Sequence, residues 1–291
     1  MLQRLRGLGF EVLAKNHAEA ILLHDFPYEL RDLVAALETF TLPVSELIGS
    51  GGGEARSTQR LRHTLNRAGW AKHEFAVTLV VDGDARPAVT HEIDHVRRAS
   101  NGTLALEIEW NNKDPFFDRD LENFQRLHAQ SVISVGMIVT RGRSLHEGMA
   151  QSIEGFLRTN AICSPDDLAA YGMKRRTDRQ MAALDRLTSG GVDFAHAFAK
   201  TFVADKFGEA TTHWRKLADR VARGVGNPCP LLLIGLPLSV VSIRRRHCQN
   251  CKNRYPSPVG SRRAPGFPRP SSLCAPPGRI APDRDRDCRS R

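Results

Sequence analysis

Residues 104–121 read LALEIEWNNKDPFFDRDL. The first half alternates: Leu104, Leu106, Ile108 and Trp110 fall on one side, Ala105, Glu107, Glu109 and Asn111 on the other. A period of two predicts a half-buried strand with one greasy face and one face bearing two carboxylates. Just upstream, TLVVDGDARPAVTHEIDHV (residues 78–96) offers a second strand-like run, joined to the first by RRASNG.

Asn101-Gly102 is a two-residue hairpin signal, because both residue types tolerate positive φ. With those two at the turn centre, Ser100 faces Thr103, Asp94 lies directly opposite Glu109, and Glu107 takes the diagonal of the same face. Opposed residues have Cβ atoms about 5 Å apart, and like charges there destabilise the sheet. Three acids on one hairpin face call for a cation, which a divalent metal with oxygen ligands supplies. The residues alone leave two readings open, a metal site and the wet face of an exposed strand.

Working outward, the 291 residues suffice for one large domain or two small ones. No run of eighteen apolar residues occurs and MLQRLRGLGFEVLAK lacks a signal-like apolar core, so a cytoplasmic protein without a membrane span is expected. The formal charge of +10 resides in the tail: residues 241–291 hold 13 Lys and Arg against 3 Asp, which leaves 29 bases and 29 acids in residues 1–240. A neutral body excludes a global field as the means of binding a polyanion, so any contact with nucleic acid must come from local basic patches.

Helices are predicted over 10–48, with Asn16 as a cap and Pro27 opening a second helix. Ser50–Gly53 reads as a flexible break. Ala55–His73 follows as a helix with five bases (Arg56, Arg60, Arg62, Arg67, Lys72) and no acid. That run is read either as a solvated face or as a phosphate-contacting helix. Phe75–Val81 reads as a strand, Asp82-Gly83-Asp84 as a turn, Asp118–Gln130 as a helix, and Val132–Val139 as a strand buried on both faces. Ser144–Thr159 reads as a helix with a Ser144/Glu147 capping box, 160–192 as irregular, 193–225 as helical and Leu231–Leu236 as a last short strand. Mixed strands and helices around a central sheet give an α/β fold.

After about Val241 the composition changes: eight of the sixteen Pro and four of the six Cys lie there. Disorder is expected for residues 241–291, since so few apolar side chains cannot offset the ordering entropy. Cys248-x-x-Cys251 lacks a second pair at zinc spacing, as Cys274 and Cys288 stand far apart. The tail reads as an appended or frameshifted end behind a folded body of residues 1–240.

Ile93-Asp94, a dozen-residue spacer and then Leu106-Glu107-Ile108-Glu109-Trp110 resembles the metal-binding core of the PD-(D/E)-x-K nucleases. Within that superfamily it is similar to the BglII-type restriction endonucleases. The resemblance takes in the Thr58-Gln59 helix and VISVGMIVTRG (residues 132–142), and covers 90–142 well and 10–240 weakly. It implies a restriction-endonuclease-like core with a central mixed sheet flanked by helices. Asp94 and Glu107 would hold Mg²⁺, and Glu109 would be the third catalytic residue, standing where the superfamily has Lys and the BglII type has Gln. Gln59, Asn111 and Lys113 become candidates for phosphate or outer contacts to the site. Arg56, Arg60, Lys174, Arg175 and Arg176 become candidates for DNA-backbone contact. The implied activity is type II, site-specific hydrolysis of double-stranded DNA by a homodimer paired with a DNA methyltransferase. The rivals are a repair or structure-specific nuclease with the same core, and a non-enzymatic DNA-binding protein or inactive remnant.

Overall fold

The computed structural model describes residues 1–49, 55–78, 80–85 and 89–243. The Ser50–Gly53 break, Cys248-x-x-Cys251 and nearly all of the expected tail lie outside the described residues. The strands are β1 (Glu11–Lys15), β2 (Leu42–Pro43), β3 (Ala71–Val77), β4 (Val80–Val81), β5 (Asp84–Ala85), β6 (Val89–Ala99), β7 (Gly102–Glu109), β8 (Val135–Arg141), β9 (Leu231–Leu236) and β10 (Val241–Ser242). The helices are α1 (Leu2–Gly7), α2 (Ala18–His24), α3 (Pro27–Glu38), α4 (Val44–Ile48), α5 (Arg56–Arg67), α6 (Phe116–Ala129), α7 (Arg143–Thr159), α8 (Asp178–Ser189), α9 (Phe194–Lys206) and α10 (Trp214–Ala222).

Six strands form one mixed sheet in the order β1-β9-β8-β7-β6-β3. β7, β8 and β9 run parallel, and both edges are antiparallel. Because β7 and β8 are parallel, the chain must cross over between them, and α6 is that crossover. One apolar cluster joins Leu104, Leu106 and Ile108 of β7 to α3, α5, α7 and α9. The other joins Ala105 to Phe117, Leu121, Phe124 and Leu127 of α6 and to Trp214 and Leu217 of α10. Gly136 of β8 permits the close seat of α6: a Cβ there would stand 2.5 Å from Phe124 Cδ2.

The central strand therefore departs from expectation. Its alternation is as read, but every residue from Leu104 to Glu109 is buried, since α6 covers the carboxylate face. The wet-face reading fails on that packing.

The hairpin is present with a different register. Ala99 pairs with Gly102, so Ser100 and Asn101 form the turn and the pairing slips by two residues. Gly102 is needed for another reason than turn centre: its φ is 149°, and a Cβ would collide with Ser134 Oγ. A slip of two keeps the paired side chains from His95 to Ala99 on their faces, whereas a slip of one would have turned them all over.

Elsewhere the chain corrects four local readings. Residues 11–15, expected helical, are an edge strand whose ladder is completed by β9. Asn16 does not cap α2; Asn16 and His17 adopt left-handed backbone, and Asn16 Nδ2 donates to the Cys229 carbonyl at 2.8 Å. Ser144 does not cap α7, because the Glu11 carboxylate takes the Arg143 N–H at 2.6 Å while Ser144 Oγ accepts from Leu238 N. Within the stretch read as irregular, a Thr177/Gln180 capping box starts α8. The helical reading of 193–225 holds for α9 and α10, separated by the turn at 207–213.

Candidate active site on the β6–β7 hairpin

The site begins with a bulge. β6 pairs β3 through Ala71↔Val96 and then His73↔Ile93, so one extra β6 residue is inserted between them. Ile93 and Val96, three apart, consequently both pack into the α6-side cluster. Asp94 and His95 occupy the bulge, Asp94 exposed and His95 buried. The last β6–β7 pair is His95↔Leu106. Beyond it the Asp94 backbone N–H points to Glu107 Oε2 at 3.4 Å. The two-residue slip thus sets Asp94 level with Glu107, where the sequence placed it opposite Glu109.

Glu107 and Glu109 are each 3 % exposed, and they meet an unforeseen third acid, Asp120 of α6, 1 % exposed. Burial raises the Glu107 carboxyl well above the usual range; the negative charges of Asp120, Asp94 and Glu109 push the same way, and the Asp94 N–H opposes them. Burial likewise raises Asp120 to about 8, reinforced by Glu109 and opposed by Arg119. Glu109 accepts from Asn112 Nδ2 at 2.7 Å and from Arg119 at 3.4 Å, and Arg119 Nε reaches Asp120 Oδ1 at 2.8 Å. Asp120 Oδ2 has no donor. Oxygen-only donors, desolvated, mutually repelling and incompletely satisfied, suit a hard divalent cation. Asp94, Glu107 and Glu109 share this neighbourhood without closing into a tight trio. Among the described residues, the set of three ligand atoms within 4.8 Å of one another lies elsewhere, at His146, Glu209 and His213.

On the other side of the sheet a cleft of about 1150 Å³ is lined by Asp94, His95, Gln59, Arg56, Arg62, Trp110 and Asn111. Gln59, Asn111 and Arg56 therefore open onto the same space as Asp94. Burial lowers the His95 imidazole to about 4, so it is neutral near pH 7. Lys113 is exposed and bridges to Thr211. Arg60 is committed to Glu46, at 2.6 and 3.0 Å, and to the Thr41 carbonyl. Lys174 and Arg175 are exposed, but Arg176 is buried over the Phe198 ring and donates to Thr201.

The chain matches the family model of restriction endonuclease BglII/BglIII over residues 10–236. It belongs to that family. No curated protein matches the chain. The mixed sheet flanked by helices is that expected of a restriction-endonuclease fold. Family membership makes the chain a nuclease whose substrate is DNA, within a group that typically uses a divalent metal. Among the described residues, no helix is long and apolar enough to cross a membrane.

The residues that sequence reasoning missed are Asp120, Arg119 and Asn112. Asp120 had a legible signal: it is an acid on the apolar stripe of α6, three residues after Phe117 and four before Phe124. Asn112 had none, because only the turn after β7 brings its amide back to Glu109.

Proposed function

We propose that this member of the BglII/BglIII family is a type II restriction endonuclease that cuts double-stranded DNA at a specific site with Mg²⁺, held by Asp94 and Glu107. The observation that carries the reading is Glu107, desolvated among other acids and held by the Asp94 N–H. Such an arrangement costs folding energy unless a cation is bound in function. When bound, a divalent cation supplies Lewis acidity toward a phosphoryl oxygen and lowers the pKa of water.

The chain's own groups then have distinct tasks. Asp94 lines the cleft, where it meets substrate and solvent. Glu107 contributes its charge from below the bulge. Glu109, oriented by Asn112 and Arg119, accepts the proton of the attacking water. Asn111 and Gln59 line the same cleft as Asp94 and supply hydrogen-bond groups for a phosphate. Arg56, Lys174 and Arg175 are candidate backbone contacts; Lys113 is a further candidate on the turn. We extend the proposal to action as a cytoplasmic homodimer on a palindrome, alongside a protecting methyltransferase, and to a nuclease domain of residues 1–240.

Plasmid digestion with Mg²⁺ tests it, and discrete bands with uniform ends are expected. A smear would instead favour a repair or structure-specific nuclease, and no cleavage with any divalent metal would favour a DNA-binding protein or an inactive remnant.

A further inference from the structure

Away from the carboxylates, α7 and the 207–213 turn bring two imidazoles and a carboxylate together. His146 Nε2 stands 3.3 Å from Glu209 Oε1, and His213 Nε2 stands 3.6 Å from Glu209 Oε2. The two rings lie parallel, their planes 8° apart and their centroids 4.2 Å apart, so both Nε2 atoms look toward one carboxylate. His213 is 2 % exposed, yet its Nε2 has no hydrogen-bond partner, and neither has the buried His146 Nδ1. A buried imidazole nitrogen left without a partner costs stability, and one aimed at an acid already shared by a second imidazole has the donors of a metal site.

We propose that His146, Glu209 and His213 form a second metal site, for a borderline divalent cation of the Zn²⁺ class. Two nitrogen donors and one carboxylate suit Zn²⁺, Co²⁺ or Ni²⁺ and disfavour Mg²⁺, which wants oxygen. Their ligand atoms all lie within 4.8 Å of one another. The site differs in donor chemistry and in place from the Asp94/Glu107 site, and it stands whether or not the nuclease reading does.

Its structural effect follows from what the 207–213 turn holds. Thr212 N donates to the Asn112 carbonyl at 2.9 Å, and Thr212 Oγ1 accepts from Asn112 N at 3.1 Å. Asn112 in turn donates to Glu109. A cation joining Glu209 and His213 to His146 would fasten this turn to α7, and with it the residue that orients Glu109. Glu209 also carries an ion pair with Arg215 at 2.5 Å, which the metal would have to share or displace.

Co²⁺ titration of the full-length protein, read by visible absorbance and calorimetry, tests the site. The expected result is about one equivalent per chain that Mg²⁺ does not displace, with a d–d spectrum and no thiolate charge-transfer band, since a thiolate band would place the ion on the tail cysteines. E107Q should keep that equivalent, whereas H146Q and H213Q should each lose it while circular dichroism confirms folding. E209Q serves as a third variant should a histidine change unfold the protein. Retention of the equivalent in the folded histidine variants, its loss in E107Q, or a thiolate band as the sole signal would overturn the proposal.

Discussion

Asn112 Nδ2 donates to Glu109 Oε2 at 2.7 Å, which ties the turn after β7 to the strand's last carboxylate. Glu109 stands where the family resemblance has Gln, so its orientation depends on neighbours rather than on its own amide. A hydrogen bond to a charged group contributes roughly 1.5–3 kcal/mol, or about ten- to hundredfold in rate if expressed wholly in the transition state. Asn112→Ala should therefore lower kcat for DNA cleavage by up to that factor, with a fall in Tm because the buried Glu109 loses a donor. An unaltered single-turnover rate would remove Asn112 from the mechanism.

Glu107 sets function against stability. Replacing it with Gln removes a buried charge from the neighbourhood of three other acids while keeping its shape. Glu107→Gln should raise the Tm of the metal-free protein above wild type at pH 8 and reduce cleavage by about a thousandfold, corresponding to roughly 4 kcal/mol of lost transition-state stabilisation. Asp94→Ala should match the activity loss without the gain in stability, because Asp94 is exposed. A variant at either position that cuts at the wild-type rate would show the site to be elsewhere.

The raised carboxyls give a signed pH dependence. Asp120 titrates near 8 when folded and near 3.8 in its ordinary state. The folded chain therefore binds more protons over that window, and this contribution to stability is full below about 3.8 and lost as pH rises toward 8. Glu107 acts in the same direction. Metal-free protein should lose Tm from pH 6 to pH 8, and the increment in Tm on adding Mg²⁺ should grow over the same range. Thermal denaturation at several pH values checks both; an Asp120→Asn variant should flatten the first slope.

Arg141, fully buried at the end of β8, holds the 207–213 turn. It donates to the Thr212 carbonyl at 2.7 and 3.1 Å, to the Phe207 carbonyl at 3.3 Å and to Thr211 Oγ1 at 2.5 Å. Burial lowers its guanidinium to about 10, still charged at neutral pH. Arg141→Met should cost roughly 3 kcal/mol by leaving buried acceptors unpaired, measurable as a shift of the urea midpoint at constant m. A shift of under about 0.5 kcal/mol, the range of ordinary surface changes, would show that water replaces the guanidinium.

The sequence by itself determined the sheet strands β7, β8 and β9, the helices α3, α6 and α7 and the start of α5 to within a few residues, and the face shared by Glu107 and Glu109. These rest on local periodicity, which is written in adjacent residues. Only the tertiary structure decided that the carboxylate face is dry, since that depends on α6 folding back over β7. It also decided that Asp94 sits beside Glu107, because the turn closes at Ser100-Asn101 rather than at Asn101-Gly102, and that a bulge against β3 opens Asp94 to the cleft. Asp120 and the His146–Glu209–His213 group are brought together from segments separated in sequence, and no local pattern encodes their meeting.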